Sequence, residues 1–330
     1  MSARQDGVLR IGVAGLGYWG PNVVRNIVEY PRAELVWLCD MESRRLLTVG
    51  QRYPGVRRTD DFGEMLADSD VDAVVIATPI STHHELASAA LEAGKHVWVE
   101  KPLATSSTEA LDLVARADRV GRVLLPGHTF LYSPPVLKIK ELIDSGVLGE
   151  IYFVSMSRVN LGLHQPDASV VWDLAPHDFS ILRFWFGEIA AEVSAMTRCC
   201  VLPGIPDVAF VNMRFAHGAI AHLELSWLSP SKLRRTTIIG SSKMVVYDDT
   251  AAEPVRIFDS GASLQDPESF GEYRLTYRTG DIVSPRIDAT EPLSLELADF
   301  CSAALEGTPL RSSPAIGLDV VRLIEAVELS

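Results

Sequence analysis

Apolar positions follow two regimes along the chain. Up to about residue 126, short apolar runs alternate with segments of helical period. Leu9–Ala14, Glu34–Cys39, Val56–Thr59, Ala73–Ala77, His96–Val99 and Val123–Leu125 read as strands. An unbroken run such as Ala73–Ala77 (Ala-Val-Val-Ile-Ala) fits a strand covered on both faces. Helical stretches lie between them: one after Gly20, then Met41–Tyr53, Asp61–Leu66 with Asp60 as its cap, Thr82–Ala93 stopped by Gly94, and Thr105–Val120 stopped by Gly121. Six strands separated by helices predict an α/β unit with a doubly wound parallel sheet.

Beyond Pro126 the regime changes. After a helix over Val136–Ser145, extended segments follow one another at Glu150–Val159, Ala191–Cys200, Ala209–Phe215, Ala219–Leu228, Thr236–Ile239, Lys243–Tyr247 and Pro254–Phe258. Strands following strands predict a mainly antiparallel open sheet in an α+β domain. A helix over about Pro176–Phe186 interrupts it, and helices over Leu293–Glu306 and Ile316–Leu329 close the chain. The expected division is residues 1–126 for a Rossmann domain and 127–330 for a substrate-binding and oligomerisation domain, with the terminal helices free to pack back on the first.

Composition narrows this picture. The chain has 330 residues, 47% hydrophobic and 22% charged, which suits a soluble globular protein with a large core. Its net charge of −13, with no dense basic run, argues against a nucleic-acid partner. The short cluster Lys232, Arg234 and Arg235 reads as a solvated loop edge. Cys39, Cys199, Cys200 and Cys301 have neither metal-ligand nor redox spacing. No stretch approaches membrane-spanning length and the first residues carry no signal-peptide core, so a cytoplasmic protein without a membrane partner is expected. The neighbours His83 and His84 lack further ligands around them, and no metal is expected.

Chemistry concentrates at the ends of the predicted strands. The first strand runs directly into Gly15-x-Gly17-x-x-Gly20, with a helix after it. This is the dinucleotide fingerprint in its required setting. Gly15 serves the tight turn, Gly17 the approach of a pyrophosphate, and Gly20 the packing of helix on strand. The amides and positive end of that helix face the anion. Asp40 closes the next strand, where a carboxylate grips ribose hydroxyls and repels a 2′-phosphate, so NAD is favoured over NADP; Arg44 and Arg45 soften that preference. A later strand ends at Glu100-Lys101-Pro102, where an ammonium can donate to a substrate oxygen or form a surface pair with Glu100. Asp173 and His177 stand four apart, with Pro176 between them placing Asp173 in the loop or first turn before a helix. A near-neutral imidazole exchanges a proton with an alcohol as hydride moves. The plain alternatives are a helix cap for Asp173 and a structural histidine for His177.

Taken in order, Gly15–Gly20, the Asp40 strand end, Thr78-Pro79 with Thr82-His83, Gly94-Lys95-His96, Glu100-Lys101-Pro102 and Asp173-x-x-x-His177 resemble the GFO/IDH/MocA oxidoreductases over almost the whole chain. The resemblance implies a Rossmann domain, a C-terminal open sheet that serves as an oligomer interface in a homodimer or homotetramer, and a nicotinamide cofactor. It also implies oxidation or reduction of a sugar, sugar nucleotide or cyclitol. Lys101 corresponds to the family's catalytic lysine, Asp173 to its substrate-binding acid and His177 to its acid–base histidine. Tyr18, Trp19, Thr78, Pro79, His83 and Glu100 match positions near the cofactor. The chain departs from the family pattern in carrying Ala168-Ser169-Val170-Val171 where a glycine-rich run is common, and Pro176 directly before His177.

Further substrate contacts are expected from Arg158, Asn160, His164, Gln165 and Trp172, which offer polar forks and an aromatic face to a polyhydroxylated ring. His128, Tyr132 and Lys138 are weaker candidates. Two other functions compete: a dinucleotide-binding regulatory or interaction protein without turnover, and a reductase of an imine or diol substrate. Retention of Lys101, Asp173 and His177 together favours an enzyme acting on an alcohol.

Overall fold

In the computed structural model, which describes residues 7–162, 164, 168–265 and 274–330, the chain forms two compact units. The first takes the residues up to Tyr132 together with Thr290–Arg322, and the second takes Ser133–Ala289 and Leu323–Ser330.

The first unit holds a six-stranded, all-parallel sheet built from β1 (Leu9–Ala14), β2 (Ala33–Cys39), β3 (Arg57–Thr59), β4 (Ala73–Ile76), β5 (His96–Glu100) and β6 (Leu124–Gly127) in the order β3-β2-β1-β4-β5-β6. The order reverses between β1 and β4, the switch point at which open sheets of this kind bind ligands beyond their strand ends. Helices α1 (Gly20–Glu29), α2 (Ser43–Gly50), α3 (Phe62–Ala67), α4 (His83–Glu92) and α5 (Ser107–Val120) connect the strands. The α3 cap is Asp61, whose carboxylate accepts the Gly63 amide, so the cap lies one residue later than the sequence suggests. Ser106 caps α5 and Gly121 ends it in the left-handed conformation.

Two later elements complete this unit. Helix α8 (Pro292–Glu306) lays Leu293, Leu297, Phe300 and Cys301 into the core that Ile11, Val13, Val23, Ile27, Leu38 and Trp98 form around β1. Its ring contact Phe300–Trp98 has centroids 5.9 Å apart. The 3₁₀ turn Thr129–Tyr132 follows β6 and packs on the same helix.

The second unit is an eight-stranded mixed sheet. Its strands are β7 (Ile151–Leu161), β8 (Glu192–Arg198), β9 (Val208–Arg214), β10 (Ile220–Ser226), β11 (Leu228–Gly240), β12 (Met244–Asp248), β13 (Val255–Gln265) and β14 (Arg274–Val283), in the order β14-β13-β12-β11-β7-β10-β9-β8. Only β7 and β10 pair in parallel; the other neighbours are antiparallel. Along β9 and β10 one face alternates into the core through Ala209, Val211, Met213, Ala221, Leu223 and Leu225. The opposite face leaves Phe153, Met196, Phe210 and Ile220 exposed. The basic cluster lies within β11, not in a loop, and Arg234 pairs with Asp249 at 2.9 Å.

Helices α6 (Pro134–Asp144) and α7 (Val170–Phe186) belong to this unit, and α9 (Pro314–Leu329) ends the chain. The α7 boundary differs from expectation: the helix starts six residues before Pro176 and carries that proline inside it. Ser169 caps it by accepting the Trp172 amide, and the apolar run Val170–Val171 packs its first turn, so the proline removes one donor without ending the helix. Among the described residues, no helix is long and apolar enough to cross a membrane.

Candidate active site

The predicted cofactor residues gather at the carboxyl ends of β1, β2, β4 and β5. Gly15 has φ +91°, and a Cβ there would lie 2.5 Å from the Ala77 carbonyl oxygen and 2.8 Å from the Thr78 amide. At Gly20 a Cβ would lie 2.1 Å from the Gly15 carbonyl oxygen. At Gly17, by contrast, a Cβ would approach only the Arg45 guanidinium, at 3.8 Å. The loop is therefore closed at Gly15 and Gly20 and open at Gly17, just before the start of α1. That cradle fits the diphosphate of a dinucleotide. No side chain caps α1, which leaves its positive end available to an anion. Tyr18 stands 93% exposed beside the cradle, whereas Trp19 packs against the core.

Asp40 braces the loop. Its buried carboxylate accepts the Leu16 amide at 2.7 Å and the Glu42 amide at 2.8 Å, and Arg45 lies 3.8 Å away. Beyond β4, the Thr78 and Thr82 hydroxyls are 2.7 Å apart. The His83 ring, 1% exposed, spans the Pro102 carbonyl at 2.8 Å and the Thr78 carbonyl at 2.9 Å. Burial pushes its pKa down against the pull of those carbonyls, and Lys101 adds to the fall. His83 thus ties the loop around Pro79 to the loop after β5, and its ring is spent on that task. The Lys101–Pro102 peptide is cis. Glu100 has a buried carboxyl whose pKa burial raises to about 7, opposed by Lys101 and by the Trp19 indole.

The second unit brings together a different set. Asp173 lies in the first turn of α7 and His177 one turn on, four apart on one helix face. The Trp227 indole N–H donates to Asp173 Oδ2 at 3.1 Å. The His164 ring meets Trp227 edge-on at 5.3 Å, and its Nε2 is 3.6 Å from Asp207. Asp207 is fully buried; burial raises its pKa, but the amides of Cys200 and Val201 outweigh this and hold it below the usual carboxylate range. Asn160, on β7, has a buried Oδ1 without a partner.

Other expected substrate contacts are engaged elsewhere. Arg158 is 6% exposed and grips Asp178 Oδ1 through Nε at 2.9 Å and Nη2 at 2.6 Å, an ion pair that pins α7 to β7. The Trp172 indole donates to Glu328 at 2.5 Å. Gln165 lies outside the described residues. Of the weaker candidates, Tyr132 donates to Asp299 at 2.7 Å and is buried, and Lys138 pairs with Glu141 at 2.9 Å on the surface. Among the described residues, no three His, Cys, Asp or Glu side chains converge as metal ligands would. Trp227 and Asp207 escaped the sequence reading, for neither stands in a motif.

Comparison with known proteins identifies the family of both parts of the chain. Residues 9–128 match the model of an oxidoreductase family with an NAD-binding Rossmann fold, and residues 136–246 match the GFO/IDH/MocA C-terminal domain. The chain is 30% identical over 225 residues to inositol 2-dehydrogenase 2 of Saccharopolyspora erythraea, covering 66% of each chain. It is 28% identical over 267 residues to scyllo-inositol 2-dehydrogenase (NAD(+)) of Bacillus subtilis, covering 77% of this chain and 78% of that one. Among solved structures it is similar to GenD2 from gentamicin A biosynthesis, crystallised in complex with NAD. The TM-score is 0.82 and the identity 27%, covering 100% of this chain and 96% of that one.

Proposed function

Because the chain belongs to the GFO/IDH/MocA oxidoreductase family, we propose that it moves hydride between NAD and a secondary alcohol carbon of a cyclitol or sugar. The observation that carries this reading is the coexistence of Lys101 at the end of β5 with Asp173 and His177 one turn apart on α7. The first unit serves as the cofactor domain and the second as the substrate domain. NAD, when bound, supplies the nicotinamide carbon that takes or returns the hydride.

The residues of this chain do the rest. His177 takes the hydroxyl proton as the alcohol is oxidised and returns it in reduction. The Lys101 ammonium stabilises the negative charge that develops on the substrate oxygen. Asp173, fixed by the Trp227 indole, hydrogen-bonds the substrate and sets its angle. Asn160 and His164 add polar contacts to a polyhydroxylated ring. Asp40 selects NAD, because its carboxylate repels a 2′-phosphate. The relatives named as inositol dehydrogenases support a cyclitol as the first substrate to test. The exposed apolar positions Phe153, Met196, Phe210 and Ile220 support the open sheet as the contact face of a homodimer or homotetramer.

The test is NADH formation by the purified protein with a panel of inositols, sugars and sugar nucleotides. Lys101→Ala and His177→Ala are each expected to lower kcat/KM by about 10²–10⁴-fold. Wild-type turnover in either variant would overturn the assignment of roles.

A further inference from the structure

After β5, the first unit buries the carboxyl groups of Glu100 and Glu296, and Lys101 acts on the first. Glu100 ends β5, and in the β5–β6 register it stands opposite Gly127. Two residues on from Gly127, the Thr129 hydroxyl donates to Glu296 Oε2 at 2.7 Å. Phe300, one helical turn beyond Glu296 on α8, packs on Trp98, which precedes Glu100 by two. These contacts bring Glu296 into the Glu100 corner from almost two hundred residues away. Glu296 is 0% exposed, and its Oε1 has no partner; neither does Glu100 Oε1.

The neighbours do not neutralise the pair. Lys101 acts on Glu100, and the Trp19 indole also favours its ionised form. His128, directly after β6, is 0% exposed with both ring nitrogens unpartnered; burial and Lys101 depress its pKa to about 3, so it stays neutral. From α8, Asp299 adds another negative charge, and the hydroxyl of Tyr132 donates to it. At the N-terminal cap of α8, Glu291 is taken by Arg25. Among the described residues, Lys101 is the cation acting on Glu100 and none acts on Glu296, so two carboxylates buried here would leave one uncompensated, which is too costly to persist.

We propose that Glu100 and Glu296 work as one acid–carboxylate unit that shares a single proton, with Glu296 carrying it, and that Glu296 is thereby a positioning residue for Lys101. The unit presents one net negative charge to one ammonium. A second charge would draw Lys101 toward its own neighbours and away from a substrate oxygen. This rests on the reading of Lys101 as the lysine that meets substrate. Burial, then the Glu100 charge, raises the Glu296 pKa well above the usual range, in keeping with a neutral acid.

Both carboxyls bind protons more tightly in the folded chain than at their ordinary value of 4.5. Their contribution to stability is full below about pH 4.5, and is lost as pH rises through about 7 for Glu100 and higher for Glu296. Glu296→Gln keeps the shape and the acceptor for Thr129 but cannot ionise. Melting curves of protein free of NAD and substrate should show its Tm gaining on wild type by about 3 °C or more between pH 5 and pH 8. A Tm difference independent of pH would overturn the proposal. Infrared spectra of the wild type in D2O at neutral pH should contain a protonated-carboxyl band that Glu296→Gln lacks. If that variant does not fold, the wild-type spectrum alone decides, and absence of the band overturns the proposal. In kcat/KM profiles, Glu296→Gln should lose the alkaline limb set by the second ionisation, and retention of that limb would overturn the positioning role. The melting and infrared readouts need no turnover, so their failure is distinct from failure of the proposed hydride transfer.

Discussion

Each unit buries a pair of ionisable side chains, and the two pairs are opposites. In the second, Arg158 and Asp178 carry unlike charges 2.6 Å apart and pin a helix to a strand. Burial lowers the Arg158 pKa, but the Asp178 charge outweighs it and raises it overall, so the guanidinium stays charged. In the first, Glu100 and Glu296 are alike, and burial pushes both toward the neutral form. The contrast shows how one chain separates rigidity from responsiveness. A compensated pair is a fixed strut; a like pair holds a proton that pH can remove. The sites differ in the same sense. The first unit offers strand ends and backbone amides to a ligand, whereas the second offers side chains held by one another.

The largest expected effect breaks the strut. Arg158→Met leaves the Asp178 carboxylate buried and unpaired, and should cost about 3–5 kcal/mol in urea unfolding. Arg158→Met with Asp178→Leu should recover most of that loss, because no orphaned charge remains. A single variant as stable as wild type would erase the contrast between the two pairs.

An intermediate effect is expected from the backbone cradle. Gly20→Ala sets a methyl 2.1 Å from the Gly15 carbonyl oxygen, so the loop must shift. NADH affinity, read by fluorescence titration, should fall by about 2–3 kcal/mol, or roughly 30–150-fold. Unchanged affinity would show that the amides of this loop do not hold the cofactor. The smallest effect lies in the second unit. Trp227→Phe removes one donor to Asp173 and should lower kcat/KM by about 1.5–2 kcal/mol, or roughly tenfold or somewhat more, while NADH affinity stays constant. A loss of NADH affinity in Trp227→Phe would merge what the comparison separates.

Much of the first unit is legible in the sequence because its strands are short, most are rich in apolar residues, and several end at glycine or a charged motif. Leu9–Ala14 is found as expected, and the other five strands shift by a residue or two at their ends. The second unit is legible where one face alternates, as in Val208–Arg214 and Ile220–Ser226. It is not legible in β14, where Arg274, Arg278, Gly280 and Asp281 interrupt any apolar rhythm and pairing with β13 makes the strand. Pro176 misled the α7 boundary, because local propensity cannot register the packing of Val170 and Val171, both at most 1% exposed. The strand-end motifs announced Gly15, Asp40 and Lys101. Glu296 had a weaker sign: it occupies the same helical stripe as Leu293, Leu297 and Phe300, a charged residue where the period calls for an apolar one. Trp227 had none, since its partnership with Asp173 exists only in three dimensions.

The return of Thr290–Arg322 to the first unit constrains how the protein is made. A ribosome that has delivered the β1–β6 sheet has not yet delivered Leu293, Leu297 or Phe300, which its core requires. Until Thr290–Arg322 has been synthesised, the nascent sheet carries an uncovered hydrophobic side, a target for chaperones. A fragment cut after Tyr132 would inherit that defect permanently, so the nucleotide half cannot be excised as a simple N-terminal piece.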